Sequence, residues 1–216
     1  SSLKLWLDAK NTASMDKGTS LGAIGPPTDN SNVKYWADQS GNGHHGTSTS
    51  SPTYEATGIG GLPAVNTSGG TLEISNSAAA FDAWDSMSLI FVYKWASGYW
   101  SWENNIKKGN AWQLGKPNVG HYQGFRWQNG DFRSNGMTMA NVHPKIITFV
   151  YDGSVPSIAW HCNGTSAGTR TASNVPSSFG SNSDNINFFA RNKYGEILIY
   201  KNAVNDTERQ TIESYL

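Results

Sequence analysis

Wherever this chain shows a regular apolar pattern before its last dozen residues, the spacing is that of strands, and that alone excludes most folds. Leu3, Leu5 and Leu7 alternate with Lys4, Trp6 and Asp8, giving a half-buried strand with one apolar face. Residues 87–95 are almost continuously apolar and rich in Ile, Val, Phe and Tyr, the pattern of a central strand covered on both faces. Residues 71–75, 99–103, 111–114, 121–128, 145–151, 157–163, 186–190 and 195–201 read as further strands, cut by turns rich in Gly, Asn and Lys. Residues 9–52 show little periodicity and read as one long loop, punctuated by Gly25-Pro26-Pro27 and Ser40-Gly41-Asn42-Gly43. Residues 77–81 suit a single helical turn. Only the C-terminus reads as a true helix, where Asn205 and Glu208 make a capping box ahead of the apolar stripe Ile212, Tyr215 and Leu216. The expectation is one all-β domain over residues 1–216, an antiparallel sandwich of two sheets with a short C-terminal helix.

Charge then narrows the partners. Sixteen basic residues balance sixteen acidic ones, and charged residues are only 15% of the chain. Nucleic-acid binding needs a basic stripe to displace counterions, so it is not expected here; nor is an anionic membrane surface. No apolar run approaches the roughly 20 residues that span a bilayer, so membrane insertion is not expected either. The single cysteine, Cys162, lies in an alternating run and reads as a small buried side chain rather than a reactive thiol. With no initiator Met and no signal-like segment, the chain reads as a mature or excised piece of a larger protein. Against this plain background stand 23 glycines and 12% aromatic residues, nine of them tryptophan.

The order of short motifs along the chain resembles a known family. Leu5-Trp6-Leu7-Asp8-Ala9, then Trp36-Ala37-Asp38-Gln39-Ser40-Gly41-Asn42-Gly43-His44-His45, are similar to the opening of bacterial and phage-borne laminin-G-like domains. Gly61-Leu62-Pro63-Ala64-Val65, Ile147-Thr148-Phe149-Val150-Tyr151-Asp152-Gly153 and Gly195-Glu196-Ile197-Leu198-Ile199-Tyr200 with Asp206-Thr207-Glu208-Arg209 follow in the family's order. The resemblance implies a concanavalin A-like jelly roll whose first and last strands pair near the middle of a sheet. It also implies a ligand, often carbohydrate, on the concave sheet or its rim. The same superfamily holds glycoside hydrolases, lyases, lectins, protein-binding modules and phage tail components, so function has to come from the site.

Catalysis fails the tests that sequence allows. The glucan- and agar-cleaving members carry three carboxylates at alternate positions of one strand, close enough to flank a glycosidic bond. This chain has no such strand. Its closest acidic spacing, Asp206 and Glu208, suits helix capping. The Arg-rich and Gln-Ile-His strands of alginate-lyase-like members are missing. His44, His45, His121, His143 and His161 lack zinc spacing, and His44-His45 reads as a solvated turn.

Residues 99–133 hold the most suggestive chemistry. Sugar rings present C–H patches to aromatic faces and hydroxyls to planar amides or guanidinium groups. Trp100, Trp102, Trp112, Tyr122, Arg126 and Trp127 are the candidate ligand-binding residues, beside Gln113, His121, Gln123, Gln128 and Asn129. The competing reading is that many of these aromatics are core. Alternation separates Phe125 and Trp127 from Tyr122, Gly124 and Arg126, and an unpaired Arg126 belongs on the solvent face. Calcium is the candidate cofactor, with Asp38 and Asn42 as ligands and Asp16, Asp29 and Asn30 nearby in the long loop. Against this, Asp38 and Asn42 suit side-chain to backbone bonds that only stabilise their turn. The function expected is a non-catalytic carbohydrate-recognition or adhesion module, extracellular, at a cell surface or on a virion. Its rivals are a structural or receptor-binding piece of a phage tail and, after that, an enzyme whose carboxylates converge from separate strands.

Overall fold

A computed structural model of the chain describes residues 2–75, 80–95, 103–109, 111–116, 122–127, 130–138, 143–171, 175, 178, 184–188 and 192–216. Of residues 95, 103–105, 116, 122–124, 126–127, 130–138 and 170 it describes the backbone alone. The elements, in chain order, are β1 (Leu3–Asp8), β2 (Met15–Asp16), β3 (Tyr35–Trp36), β4 (Gly46–Thr47), β5 (Thr53–Ile59), β6 (Leu62–Asn66), β7 (Leu72–Ile74), β8 (Ser86–Trp95) and β9 (Glu103–Lys108). There follow β10 (Trp112–Lys116), β11 (Tyr122–Trp127), β12 (Gly130–Thr138), β13 (Lys145–Asp152), β14 (Ser157–Cys162), β15 (Thr165–Thr171), β16 (Ile186–Phe188), β17 (Asn192–Tyr200) and the helix α1 (Asp206–Tyr215).

These strands form two antiparallel sheets. The first runs β15-β14-β13-β8-β17-β6-β5, and the second β12-β11-β10-β9-β16-β7-β4-β3-β2. One edge of β17 pairs with β8 along its length. The other edge is split between β6, at Lys193 and Tyr194, and β1, at residues 196–200. First and last strands therefore pair inside the first sheet, as the resemblance implied. The apolar run of β8 sits centrally, between β13 and β17, which explains why it needs no polar face.

Aromatic rings knit the two sheets together. Trp112 and Phe125 of the second sheet stack at 6.4 Å, Phe125 meets Phe149 of the first at 4.4 Å, and Phe149 meets Trp160 edge-on at 5.0 Å. Phe188 and Tyr194 make a second bridge at 5.5 Å. Such pairs add about 0.5–1.5 kcal/mol each beyond the area they bury.

Over the middle of the first sheet's outer face lies α1. Register sets His161, Thr148, Ile90, Leu198 and Trp6 in one row across β14, β13, β8, β17 and β1. Thr148 and Ile90 are fully buried and Leu198 nearly so. Above them the Thr148 hydroxyl donates to Glu213 Oε1 at 2.5 Å, and Arg209 donates to Glu213 Oε2 at 2.7 Å. The helix starts where the sequence placed it: Asn205 accepts from the Glu208 backbone, while Glu208 accepts from that of Asn205. Two earlier links tie the approach to α1, Ser88 Oγ to Asn202 O and Val204 N to Ser88 Oγ.

Beside the helix, Glu196 is 1% exposed. It accepts from Trp6 Nε1 at 2.8 Å and lies 3.3 Å from Lys10 Nζ. Burial pushes its carboxyl above the usual glutamate range, outweighing Trp6 and Lys10. A raised folded-state pKa means stability that is full below the unfolded value and falls as pH rises through the folded one. Glu196→Gln keeps an acceptor for Trp6 and removes the buried charge. The expected result is a thermal midpoint that no longer declines over that interval; thermal melts across it, wild type against variant, check this.

Candidate functional site

Among the described residues, α1 lies over the first sheet and no α-helix lies over the outer face of the second. Strand alternation divides its residues cleanly. One register row runs Met15, Trp36, Gly46, Ile74, Ile186, Lys108, Trp112 across successive strands and is buried throughout. Lys108 is tolerated there because Asp82 pairs with its ammonium at 2.5 Å. The adjacent row faces the other way: Asp16, Tyr35, Thr47, Glu73, Asn187, Lys107 and Gln113, continuing in the register positions of Arg126 and Asp131. Thr47 is exposed, and Tyr35, Glu73, Asn187, Lys107 and Gln113 are half-buried.

The middle of this outward row has hydrogen-bonding capacity left over. Among the described residues, neither the Lys107 ammonium nor the Gln113 amide has a hydrogen-bond partner. Glu73 Oε1 accepts from Asn185 Nδ2 at 2.8 Å, which fixes the carboxylate and leaves Oε2 open. Asn187 uses Nδ2 on Asn185 O at 3.3 Å and keeps its oxygen. Neighbouring strands are spaced ~4.8 Å apart, so these four residues offer amide, ammonium, amide and carboxylate groups over roughly 14 Å. An extended ligand rich in hydroxyls would find a donor or acceptor at each strand.

The residues singled out by sequence fall on both sides of this division. Trp112 is 3% exposed and stacked on Phe125, so it is core and no platform. The backbone of Trp127 pairs with that of Trp112, within the buried row, and that of Arg126 pairs with Gln113, within the outward one. The side chains of Tyr122, Arg126 and Trp127 lie outside the described residues, as do Trp100 and Trp102 altogether. Phe125, 1% exposed, confirms which face of β11 turns inward. Sequence reasoning did not find Lys107, Asn187 or Glu73, because it followed aromatics and these three meet only through register.

The calcium candidates are engaged in turns. Asp38 is 8% exposed and accepts from Trp6 N, Ser40 N, Ser40 Oγ and His44 N at 2.8–3.0 Å. Asn42 donates to Leu3 O at 2.9 Å and to Ser40 Oγ at 2.8 Å, an arrangement that points its nitrogen, not its oxygen, at the turn. Asp16 accepts four backbone N–H groups, from Gly18, Gly22, Ile24 and Gly25. Burial raises its pKa, the four donors lower it, and the donors win. Asp29 accepts from Ala56 N and Asn30 Nδ2. Among the described residues no three His, Cys, Asp or Glu side chains gather as a metal site. The side-chain to backbone reading of Asp38 and Asn42 is the one the geometry matches. His44 and His45 are half-buried rather than solvated: His45 Nδ1 accepts from Asp38 N at 3.0 Å and its ring lies 5.2 Å from Tyr35, while His44 meets Phe81 at 4.8 Å. Burial holds His44 below the usual histidine range. Cys162 is half-buried, and burial pushes its thiol up, away from reactivity.

No protein-family model matches the chain, and no curated protein matches it either. Solved structures do. The binding domain of Paraclostridial Mosquitocidal Protein 1 is similar over 99% of this chain and 52% of its own length, with a TM-score of 0.69 at 12% identity. The receptor-binding domain of a botulinum neurotoxin C/D mosaic serotype aligns over 99% and 51%, with a TM-score of 0.68 at 11% identity. The binding domain of botulinum neurotoxin DC, solved in complex with SialylT, aligns over 99% and 51%, with a TM-score of 0.66 at 14% identity. The chain thus spans about half the length of these neighbours, all three of them binding domains, and shares with them a β-sandwich fold.

Proposed function

We propose that this chain is a non-catalytic recognition module that binds glycans along the outward row of the second sheet, and that it belongs to the laminin-G-like branch of concanavalin A-like jelly rolls. The observation that carries the reading is the set of unengaged polar groups on Gln113, Lys107, Asn187 and Glu73, on the sheet face that α1 leaves open. The binding domain of botulinum neurotoxin DC was solved both with SialylT and with rat synaptotagmin II, so that neighbour takes two kinds of partner. Hydroxyl-rich ligands suit the row here: two amides can each donate and accept, and Lys107 and Glu73 supply one charge-assisted bond of each kind. On this reading the module acts outside the cell, on a cell surface or virion, as part of a longer protein.

A glycan and polysaccharide screen, run with calcium and again with a chelator, tests the proposal. Binding to one glycan class, with no release of reducing ends and no loss under chelation, is the expected result. Lys107→Ala and Gln113→Ala should each weaken that binding by about 5–150-fold, the worth of roughly 1–3 kcal/mol of hydrogen bonding. Their thermal midpoints should stay at the wild-type value. Unchanged affinity in both variants would remove the site from this row, and a blank screen would shift the reading to a protein-binding or structural module.

A further inference from the structure

The turn that Asn42 holds through its amide also sets that amide directly before a glycine, Gly43. Both residues are exposed. The Asn42 amide nitrogen donates to Leu3 O, Ser40 Oγ and, at 3.4 Å, Lys4 O. Two carbonyl oxygens at one amide admit only a donor, so the side chain works as a latch holding loop 38–45 to the start of β1. Gly43 has φ +76°, and nothing stands within 4 Å of where a Cβ would be. Its backbone N–H has no hydrogen-bond partner among the described residues.

We infer that Asn42-Gly43 is a site of spontaneous deamidation that releases this latch. The Gly43 nitrogen, giving its proton to solvent base, attacks Cγ of Asn42; a C–N bond forms and ammonia leaves with the amide nitrogen. Water then opens the five-membered imide to aspartate or isoaspartate. The net change is one water taken up and one ammonia lost, with nothing oxidised or reduced. The consequence follows from bond polarity. A carboxylate at position 42 has no hydrogen to give, so it faces the Leu3 and Lys4 carbonyls with charge against lone pairs, an unpaired arrangement that costs free energy. The isoaspartate form also lengthens the backbone inside a tight turn. Loop 38–45 carries Asp38, whose backbone bond sets His45 against Tyr35, so its release loosens one end of the outward row.

A second exposed Asn-Gly pair supplies the control. Asn163-Gly164 turns the β14–β15 hairpin with φ of 48° and 78°. There the amide works through its oxygen, which accepts from Ile146 N at 2.8 Å. A carboxylate keeps that bond, so aspartate at 163 is silent where aspartate at 42 is not.

The test ages the whole chain at mildly alkaline pH and maps peptides by mass spectrometry. The expected result is a gain of about one dalton in the peptide holding Asn42, growing with time, and a modified fraction whose thermal midpoint is lower by a few degrees. Asn42→Asp should reproduce that lowering and Asn163→Asp should not. An Asn42 peptide that keeps its mass, or a modified fraction that melts with the unmodified one, overturns the inference.

Discussion

Arg209→Ala should cost this domain about 3–5 kcal/mol, because it leaves the Glu213 carboxylate buried without its cation. Arg209 is 4% exposed and Glu213 8%, and the two meet at 2.7 Å beneath the helix. The partner that remains to Glu213 is the Thr148 hydroxyl at 2.5 Å, which cannot neutralise a charge. The second carboxylate of the network, Asp206, is 3.2 Å from the guanidinium but 80% exposed, and such a pair contributes little. Chemical denaturation should therefore show the full loss for Arg209→Ala. The double variant Arg209→Met with Glu213→Gln should recover much of it, since it keeps an acceptor for Thr148 and removes both charges. A single variant within about 1 kcal/mol of wild type would mean that water reaches the pair and that α1 does not seal the sheet.

The same pair holds α1 over the middle of the first sheet. If α1 loosens, the row His161, Thr148, Ile90, Leu198 and Trp6 becomes exposed, and with it an apolar surface beside the buried Glu196. Dye binding to exposed apolar surface should accompany the stability loss in Arg209→Ala and be absent from Lys107→Ala, which touches only the opposite face.

Fold class was legible because the central strands advertise themselves. β8 is continuously apolar from Leu89 to Tyr93, β13 is largely apolar, β14 alternates, and the Asn205–Glu208 capping box marks α1 to the residue. The strands that escaped notice had reasons to. β15 reads Thr-Ser-Ala-Gly-Thr-Arg-Thr and lies at a sheet edge, held by backbone pairing on one side and by a hairpin. The Asn163-Gly164 turn was its one local signal. β2, β3 and β4 are two residues each, too short for any period to register, yet they turn the supposed long loop into the last three strands of the second sheet. β5 and β6 carry glycines and a register shift that disguise their alternation. The predicted turn at 77–81 and the strand residues 99–102 lie wholly or partly outside the described residues. The candidate site was only half legible. Gln113 and Arg126 belong to a segment whose composition attracts notice, whereas Glu73, Lys107 and Asn187 are ordinary polar residues until three pairings set them side by side. Register of that kind is a property of the folded sheet and leaves no mark in the spacing of one sequence.

Trp112 marks the same boundary, and its replacement should have an effect as large as that of Arg209. As an aromatic in the segment richest in sugar-binding residue types, it suggests a platform; as a residue 3% exposed, it can touch no ligand. Its ring lies 6.4 Å from Phe125 at 27°, the first link of the series that crosses to Phe149 and Trp160 in the other sheet. Trp112→Ala removes that link and opens a cavity that flanking strands cannot collapse to fill, at about 3–5 kcal/mol. For a domain of this size the thermal midpoint should fall by roughly 6–20 °C. Ligand binding, measured well below the new midpoint, should stay within a few-fold of wild type, the reverse of the pattern for Lys107→Ala and Gln113→Ala. Loss of binding at unchanged stability would place Trp112 in the site and turn the faces of β10 around.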